Sequence, residues 1–277
     1  MVMPPYSLSK DLLDEIKEKT KQIALRLKVK GLINIQYAIK GNDLYMIEVN
    51  PRASRTIPFI SKAIGIPIAK IAAKVMSGRK LAELNFLNEI SINHYCVKES
   101  VFPFIKFPDV DTILGPEMKS TGEAMGIDLD LPAAFAKAQI SSGNSLPTSG
   151  KAFVSVKDDD KVKILSLCEN LILLGFDIIS TKGTHEYLKK NNISSQVVKK
   201  VKEGSGNIVD LMKNAEIDIL VNTTSTKKEI VESFSIRRTA LIKQVPYFTT
   251  IAGATAAIDA IDYLKKGIIK VKPLQEY

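Results

Sequence analysis

The spacing of apolar and polar positions divides the first part of the chain into a helix, a hairpin and two further helices. Apolar residues recur every three or four positions from Ser7 to about Leu27, which predicts an amphipathic helix capped by Ser7. Two strand-like runs follow, and Gly41-Asn42-Asp43 between them is a hairpin signal. From residue 55 to residue 78 the pattern predicts two helices, interrupted at Gly65-Ile66-Pro67.

A different rhythm, in which strands alternate with helices, begins after residue 150. Residues 83–150 are irregular and rich in Pro and Gly, with short helices predicted near Ser120–Met125 and Pro132–Gln139. Turn-forming residues dominate 141–150, which is therefore predicted to be a linker between a domain at 1–140 and another at 151–277. The predicted strands of the second domain are 151–156, 176–180 and 217–221, and its predicted helices are 161–174, 184–191, 233–243 and 250–265. Alternating strands and helices predict an α/β fold with a doubly wound parallel sheet.

Composition and charge narrow the function classes. The chain has 277 residues, two cysteines and a net charge of +9, so two ordinary domains are expected, without a disulfide scaffold or structural zinc site. Neither a signal-peptide pattern nor a membrane-spanning run is present, which predicts a cytoplasmic protein with no membrane partner. The lysines are scattered among acidic residues and no nucleic-acid-binding motif occurs, so small anions or a solvated lysine-rich surface explain the charge better than nucleic acid does.

The first candidate site lies on the predicted hairpin. Glu48 and Asn50 are two residues apart, so on a strand their side chains share one face, and Gln36 lies on the neighbouring strand. Oxygen ligands of this kind suit Mg²⁺, which keeps several waters and bridges to substrate phosphates. Arg52 and Arg55 follow, and their guanidinium groups are suited to phosphate oxygens. The cluster indicates a nucleotide–magnesium site, the alternative being a solvated strand end.

The second candidate site lies in two loops that each follow a predicted strand. Residues 179–184 and 222–225 are rich in Ser and Thr, and in an open α/β sheet such loops lead into helix N-termini where anions bind. Lys161 and Lys200 would add positive charge. The loops contain no general base or nucleophile, so they predict anion binding without catalysis. Either loop taken alone is also consistent with ordinary helix capping.

Several long motifs, in order along the chain, resemble one family. IEVNPRASRTIPFISKAIGIPIAKIAAKVMSG at 47–78 and VKESVFPFIKFPDVDTILGPEMKSTGEAMG at 97–126 resemble the large subunit of carbamoyl phosphate synthetase. STKGT, VVKKVKEG, LVNTTS and IRRTAL resemble its methylglyoxal-synthase-like regulatory domain. The resemblance covers essentially the whole chain. It implies the C-terminal part of an ATP-grasp domain, followed by a doubly wound, methylglyoxal-synthase-like domain.

The resemblance also assigns roles to individual residues. The implied ligands of Mg²⁺ or Mn²⁺, which hold ATP as substrate, are Gln36, Glu48 and Asn50. Arg52 is implied to interact with phosphate in the catalytic site, with Arg55 beside it. The positions implied to bind the phosphate and ribose of a nucleotide effector such as UMP or IMP are Lys161, Thr181, Thr184, Lys200, Asn222 and Thr223. Those implied to bind ornithine, as in some family members, are Glu99, Thr249 and Thr250.

The implied activity is that of a glutamine-hydrolysing ligase which phosphorylates carbamate with ATP for pyrimidine and arginine synthesis. The implied partners are the remainder of the large subunit and a glutamine amidotransferase small subunit, within an oligomer. The glycine-rich loop and adenine-binding segment of the ATP-grasp fold are absent from this sequence, so the chain alone is expected to be inactive. Lys182 and Ser205-Gly206 depart from the family pattern near the effector site. The alternatives are an autonomous effector-binding module and a methylglyoxal-synthase-type lyase.

Overall fold

Two units make up the structure, a computed structural model that describes residues 1–107, 110–115, 117–267 and 269–277. The first unit comprises residues 1–96 and 271–277, and the second comprises residues 97–270. The division therefore falls near residue 96 rather than at the predicted linker, 141–150, which lies inside the second unit.

The first unit is built around a hairpin and three helices. Its elements are β1 (Val2–Met3), α1 (Lys10–Arg26), β2 (Asn34–Lys40), β3 (Asp43–Asn50), α2 (Thr56–Ala63) and α3 (Ile68–Met76). Ser9, rather than the predicted Ser7, caps α1 by accepting a hydrogen bond from the Leu12 amide. The predicted hairpin and the break between α2 and α3 are confirmed. Few side chains in this unit are buried, and none of them is on α1.

The second unit is an α/β fold whose strands and helices alternate. Its strands are β4 (Tyr95–Val101, which begins just before the unit), β5 (Gly122–Asp128), β6 (Gly150–Ser155), β7 (Phe176–Thr181), β8 (Gln196–Val198), β9 (Ile219–Asn222) and β10 (Tyr247–Phe248). Its helices are α4 (Leu131–Ser141), α5 (Ile164–Leu173), α6 (Lys182–Lys190), α7 (Ile208–Lys213), α8 (Lys227–Glu232), α9 (Phe234–Ile242) and α10 (Ile251–Lys266). Over the described ranges, five strands form a parallel sheet in the order β10-β9-β6-β7-β8.

Helices cover both faces of the parallel sheet, which explains why its strands are almost wholly apolar. On β6, Ala152 and Val154 pack in a core with α5 and α10, whereas Phe153 faces the opposite core with α7 and α9. Leu220 on β9 lies in the second core as well. The predicted doubly wound arrangement is confirmed, and it brings the carboxyl ends of the strands to one edge of the sheet.

Two predictions in the middle of the chain were wrong. Residues 120–125 were predicted to be helical, but β5 occupies Gly122–Asp128. Its backbone packs directly on α4, so close contact with the helix decides the conformation there. The stretch 141–150 is not an unpacked linker, because Leu146 is 7% exposed and belongs to the core that α10 completes.

Among the described residues, no single helix is both long and apolar enough to cross a bilayer. Taken together, α2 and α3 have the length and the apolar composition of a membrane span, but their axes form a bend of 114° at the break between them.

Candidate functional site

The hairpin of the first unit brings the three predicted metal ligands together. Gln36 lies directly opposite Glu48 in the antiparallel register, a position in which paired side chains share one face of the sheet. Asn50 is two residues further along β3, and its Nδ2 donates a hydrogen bond to Glu48 Oε1 at 2.9 Å. The predicted juxtaposition of these three side chains is therefore present.

The donor set fits a magnesium ion that retains several waters. It offers one carboxylate and two amide oxygens, and Gln36 and Glu48 are exposed to solvent. Among the described residues, no group of three or more His, Cys, Asp or Glu side chains is arranged to hold a metal ion. Amide oxygens thus have to complete any coordination by this hairpin.

The two predicted arginines follow the hairpin at the start of α2. The Arg52 side chain is exposed, and its Nη1 donates to the carbonyl oxygen of Ala53 at 2.9 Å. Arg55, also exposed, immediately precedes the helix. Both guanidinium groups therefore lie within a few residues of Asn50, on the segment that leaves β3.

A cavity of about 500 Å³ lies at the carboxyl edge of the parallel sheet in the second unit. The segments that line it follow β6, β7, β8 and β9, so it occupies the position where open α/β sheets bind ligands. All six predicted effector positions line it, namely Lys161, Thr181, Thr184, Lys200, Asn222 and Thr223. Residues separated by more than sixty positions in the sequence meet there because parallel strands end at the same edge.

The start of α6 supplies hydrogen-bond donors to one wall of the cavity. Thr181 ends β7 and precedes the helix, but its side chain does not cap the helix; its hydroxyl instead lies 3.0 Å from Ser155 Oγ. Gly183 and Thr184 of the first turn line the cavity. The Val156 amide donates to Thr184 Oγ1 at 3.4 Å, which leaves the hydroxyl proton of Thr184 available to another acceptor. An uncapped helix start of this kind favours an anion.

Four lysines and four acidic residues surround the same cavity. The lysines are Lys157, Lys161, Lys200 and Lys202, and the acids are Asp158, Asp159, Glu229 and Glu232. Lys161 pairs with Asp158 at 2.8 Å, and Lys202 pairs with Glu232 at 2.7 Å. The loops identified in the sequence contain none of these acids, which come from the turn after β6 and from α8. Only the folded chain shows that they line the cavity.

The acids on α8 are held in the ionised state. The amide and hydroxyl of Ser225 and the amide of Thr226 donate to Glu229, which lowers the pKa of its carboxyl. The hydrogen bond and charge of Lys202 lower the pKa of Glu232. Glu229 thereby completes a capping box at the start of α8, a structural role.

The three predicted ornithine positions lie outside the set that lines the cavity. Burial raises the pKa of Glu99 on β4, an effect that a hydrogen bond with Gln139 of α4 opposes. Thr250 caps α10, since its Oγ1 accepts from the Gly253 amide at 3.1 Å. Thr249 is an exposed neighbour of that cap. Thr250 therefore has a structural role as a helix cap. The assignment of these three residues to ornithine binding remains a prediction.

Comparison with protein families matches the two ends of the chain to two models. Residues 1–84 match the carbamoyl-phosphate synthase L chain, ATP binding domain. Residues 163–249 match the MGS-like domain, which covers the loops after β7, β8 and β9.

Curated relatives match nearly the whole chain. It is 53% identical over 275 residues to the carbamoyl phosphate synthase large chain of Myxococcus xanthus, covering 99% of this chain and 25% of that relative. It is 47% identical to the large chain of Methanosarcina mazei over 277 residues, covering 100% of this chain and 26% of that relative. A large chain of Methanosarcina barkeri is 46% identical over 277 residues, and 70% of it is covered. The chain thus spans about a quarter of the length of the first two relatives.

Proposed function

Because the chain belongs to the carbamoyl phosphate synthase large-chain family, a family of ligases, we propose that its second unit binds a nucleotide monophosphate effector. We also propose that the first unit supplies ligands to metal-bound ATP for the phosphorylation of carbamate. The family as a whole uses ATP and a divalent metal. The specific metal, Mg²⁺ or Mn²⁺, the effector and its regulatory role are parts of the proposal.

One observation supports effector binding above all others: six positions chosen from the sequence line a single cavity. Lysines, hydroxyls and the uncapped start of α6 converge there, and this donor set matches the oxygens of a phosphate group. The cavity volume of about 500 Å³ falls in the range of small-molecule sites. UMP and IMP, which the family resemblance implies, carry such a phosphate and are the effectors that we propose.

The hairpin supports the second part of the proposal. Glu48 would supply negative charge to Mg²⁺ or Mn²⁺, and Gln36 and Asn50 would supply neutral oxygens. When bound, the metal would neutralise charge on the ATP phosphates. Arg52 would stabilise charge on the phosphoryl group as it moves to carbamate. The remainder of the large chain and a glutamine-hydrolysing small subunit are proposed partners, together forming an oligomer, and ornithine is a proposed activator at Glu99, Thr249 and Thr250.

An autonomous effector-binding module is the second candidate, and the position of the cavity favours it. Every residue that lines the cavity belongs to the second unit. A lyase is less well supported. Three of the four acids around the cavity are already engaged, Glu229 in a helix cap, Glu232 with Lys202 and Asp158 with Lys161.

Isothermal titration of the chain with UMP, IMP and Mg²⁺–ATP tests the proposal. We expect UMP or IMP to bind at one site, and we expect Lys200→Gln to weaken that binding by about ten-fold because it removes a charged donor to phosphate. Lys189→Gln is the matched control, since Lys189 is an exposed lysine on α6 that does not line the cavity.

The outcomes separate the candidates. Unaltered affinity in Lys200→Gln, or failure of UMP, IMP and inorganic phosphate alike to bind the wild-type chain, would contradict effector binding in the cavity. Effector binding without Mg²⁺–ATP binding by this chain favours the autonomous module. Binding of both favours the two-part proposal.

A further inference from the structure

Lys161 lines the cavity while it is paired with an acid of its own turn. A single turn of 3-10 helix at Asp158–Asp160 follows β6, and the amide of Lys161 donates to the carbonyl oxygen of Asp158 at 3.1 Å. The side chains of Asp158 and Lys161 form an ion pair of 2.8 Å, and both residues line the cavity. Because one turn of backbone holds the two residues together, the carboxylate is always close to the lysine.

The two partners of this ion pair differ in their exposure to solvent. The side chain of Lys161 is 22% exposed, whereas that of Asp158 is 90% exposed. The ammonium group therefore belongs to the cavity wall, and the carboxylate belongs to its solvent side. Ion pairs with so exposed a partner are weak, and their formation corresponds to a factor of about 1.4 to 5 in an equilibrium constant. Asp158 is therefore able to leave the lysine for water at little cost.

A second contact holds Lys161 when the carboxylate leaves. Its Nζ lies 5.9 Å from the centroid of the Tyr187 ring on α6, within the distance at which a cation is attracted to an aromatic face. The ring is half-buried, and it attracts the ammonium group without using its charge as a carboxylate does. Release of Asp158 thus makes the charge of Lys161 available to a ligand while the side chain stays in place.

The other ion pair at the cavity has the opposite arrangement. Lys202 is 69% exposed and Glu232 of α8 is 32% exposed, so the acid is the more enclosed partner there. When that pair separates, the negative charge stays beside the cavity and the lysine turns into water. Of these two ion pairs, the one between Asp158 and Lys161 is therefore the one in which an anion can replace the carboxylate.

We propose that Asp158 is an affinity-setting residue, a tethered carboxylate that occupies Lys161 until the phosphate group of a ligand replaces it. The inference rests on the proposed function and adds a control on the ligand concentration at which the cavity fills. The apparent dissociation constant is the intrinsic one divided by the fraction of molecules in which Lys161 is free. A phosphate displaces the carboxylate because it also meets the hydroxyls and the helix start on the other walls of the cavity.

Calorimetric titration of UMP and of inorganic phosphate into the whole chain tests this exchange. Asp158→Asn keeps the size of the side chain and removes the charge that holds Lys161, so it should strengthen the binding of both ligands by about three-fold. Asp159→Asn is the matched control. It removes the same charge from the same turn, at an exposed residue that lines the cavity but is not the partner of Lys161 in the ion pair. Its gain in affinity should be clearly smaller.

A double-mutant cycle shows whether the gain in affinity depends on Lys161. Lys161→Gln should weaken the binding of UMP, and the addition of Asp158→Asn to that variant should give no further change, because the carboxylate then has no cation to occupy. Circular dichroism of each variant verifies that its fold is kept.

Three results would overturn the inference while leaving effector binding intact. They are an unchanged affinity in Asp158→Asn, equal gains in Asp158→Asn and Asp159→Asn, and the same gain from Asp158→Asn with or without Lys161. The last two would show a general effect of charge on the anion rather than an exchange of partners. If neither wild type nor Asp158→Asn binds UMP or phosphate, the proposed function itself is wrong and the inference fails with it.

Discussion

The two thiols of the chain lie in its interior, where burial changes their acid–base chemistry. Cys96 and Cys168 are both free and fully buried. Burial raises the pKa of Cys96 to about 11 and, with the charge of Glu169 adding to it, that of Cys168 to about 12. A thiol with such a pKa stays protonated at neutral pH and is therefore a poor nucleophile.

The raised pKa of Cys168 predicts a loss of stability at alkaline pH. Between its ordinary value of 9.0 and about 12, the unfolded state releases a proton that the folded state retains, so the free energy of unfolding falls as pH rises through that window and is unaffected below it. From pH 8 to pH 10 the contribution of this group is about 1 kcal/mol.

Urea unfolding at the two pH values, in wild type and in Cys168→Ala, measures this contribution. The variant is less stable at both, because it loses buried volume, but its stability should decrease less with pH. Equal decreases in the two proteins would contradict the raised pKa.

Individual residues could be predicted from the sequence where their position follows from a strand end. Thr181 and Asn222 lie at the ends of two strands, so the meeting of their loops at one edge of the sheet is a consequence of parallel topology. Asp158 was not identified. It lines the cavity because distant segments meet there, and it does not lie in a pattern that indicates a site.

At the scale of elements, one glycine determines how β5 packs on α4. A Cβ at Gly126 would lie 1.9 Å from the carbonyl oxygen of Ala134 and 2.4 Å from the amide nitrogen of Ala138. Backbone atoms cannot move aside as a flexible side chain does, so the strand and the helix would have to separate. Gly126→Ala is therefore expected to destabilise the second unit by about 3 kcal/mol or more, as overpacking does.

Thermal unfolding monitored by circular dichroism tests this effect against a control in the same strand. Gly122→Ala is matched, because a Cβ there would meet only Val101 Cβ at 4.0 Å. We expect a melting temperature close to wild type for Gly122→Ala and a clear decrease for Gly126→Ala. Similar values for both variants would show that α4 and β5 tolerate separation.

This packing also explains which elements the sequence could and could not predict. The helix α10 and the strand β9 were predicted from the sequence. A helix that buries one face has apolar residues at a helical period, and a fully buried strand is a continuous apolar run. The strand β5 contains Gly-Glu-Ala-Met, whose local preference is helical, and tertiary contact with α4 overrides it. The short strand β10 has two residues, too few to show any period.

At the scale of the whole molecule, the two candidate sites lie in separate units. The hairpin with Gln36, Glu48 and Asn50 belongs to the first unit, and every residue that lines the cavity belongs to the second. The family matches follow the same division. Chemistry at the hairpin and binding in the cavity are therefore expected to respond to different substitutions.

Glu48→Gln tests that independence. The substitution removes the negative charge of the proposed metal site and keeps its shape, so in a complete large chain carrying it we expect carbamate phosphorylation to fall by at least about 100-fold. Asp43→Asn is the control, since it removes an exposed carboxylate at the other end of β3. In the chain described here, UMP affinity should be the same for Glu48→Gln and wild type, because no cavity residue changes. Wild-type turnover in Glu48→Gln would exclude Glu48 as a metal ligand, and altered UMP affinity would show that the two units are coupled.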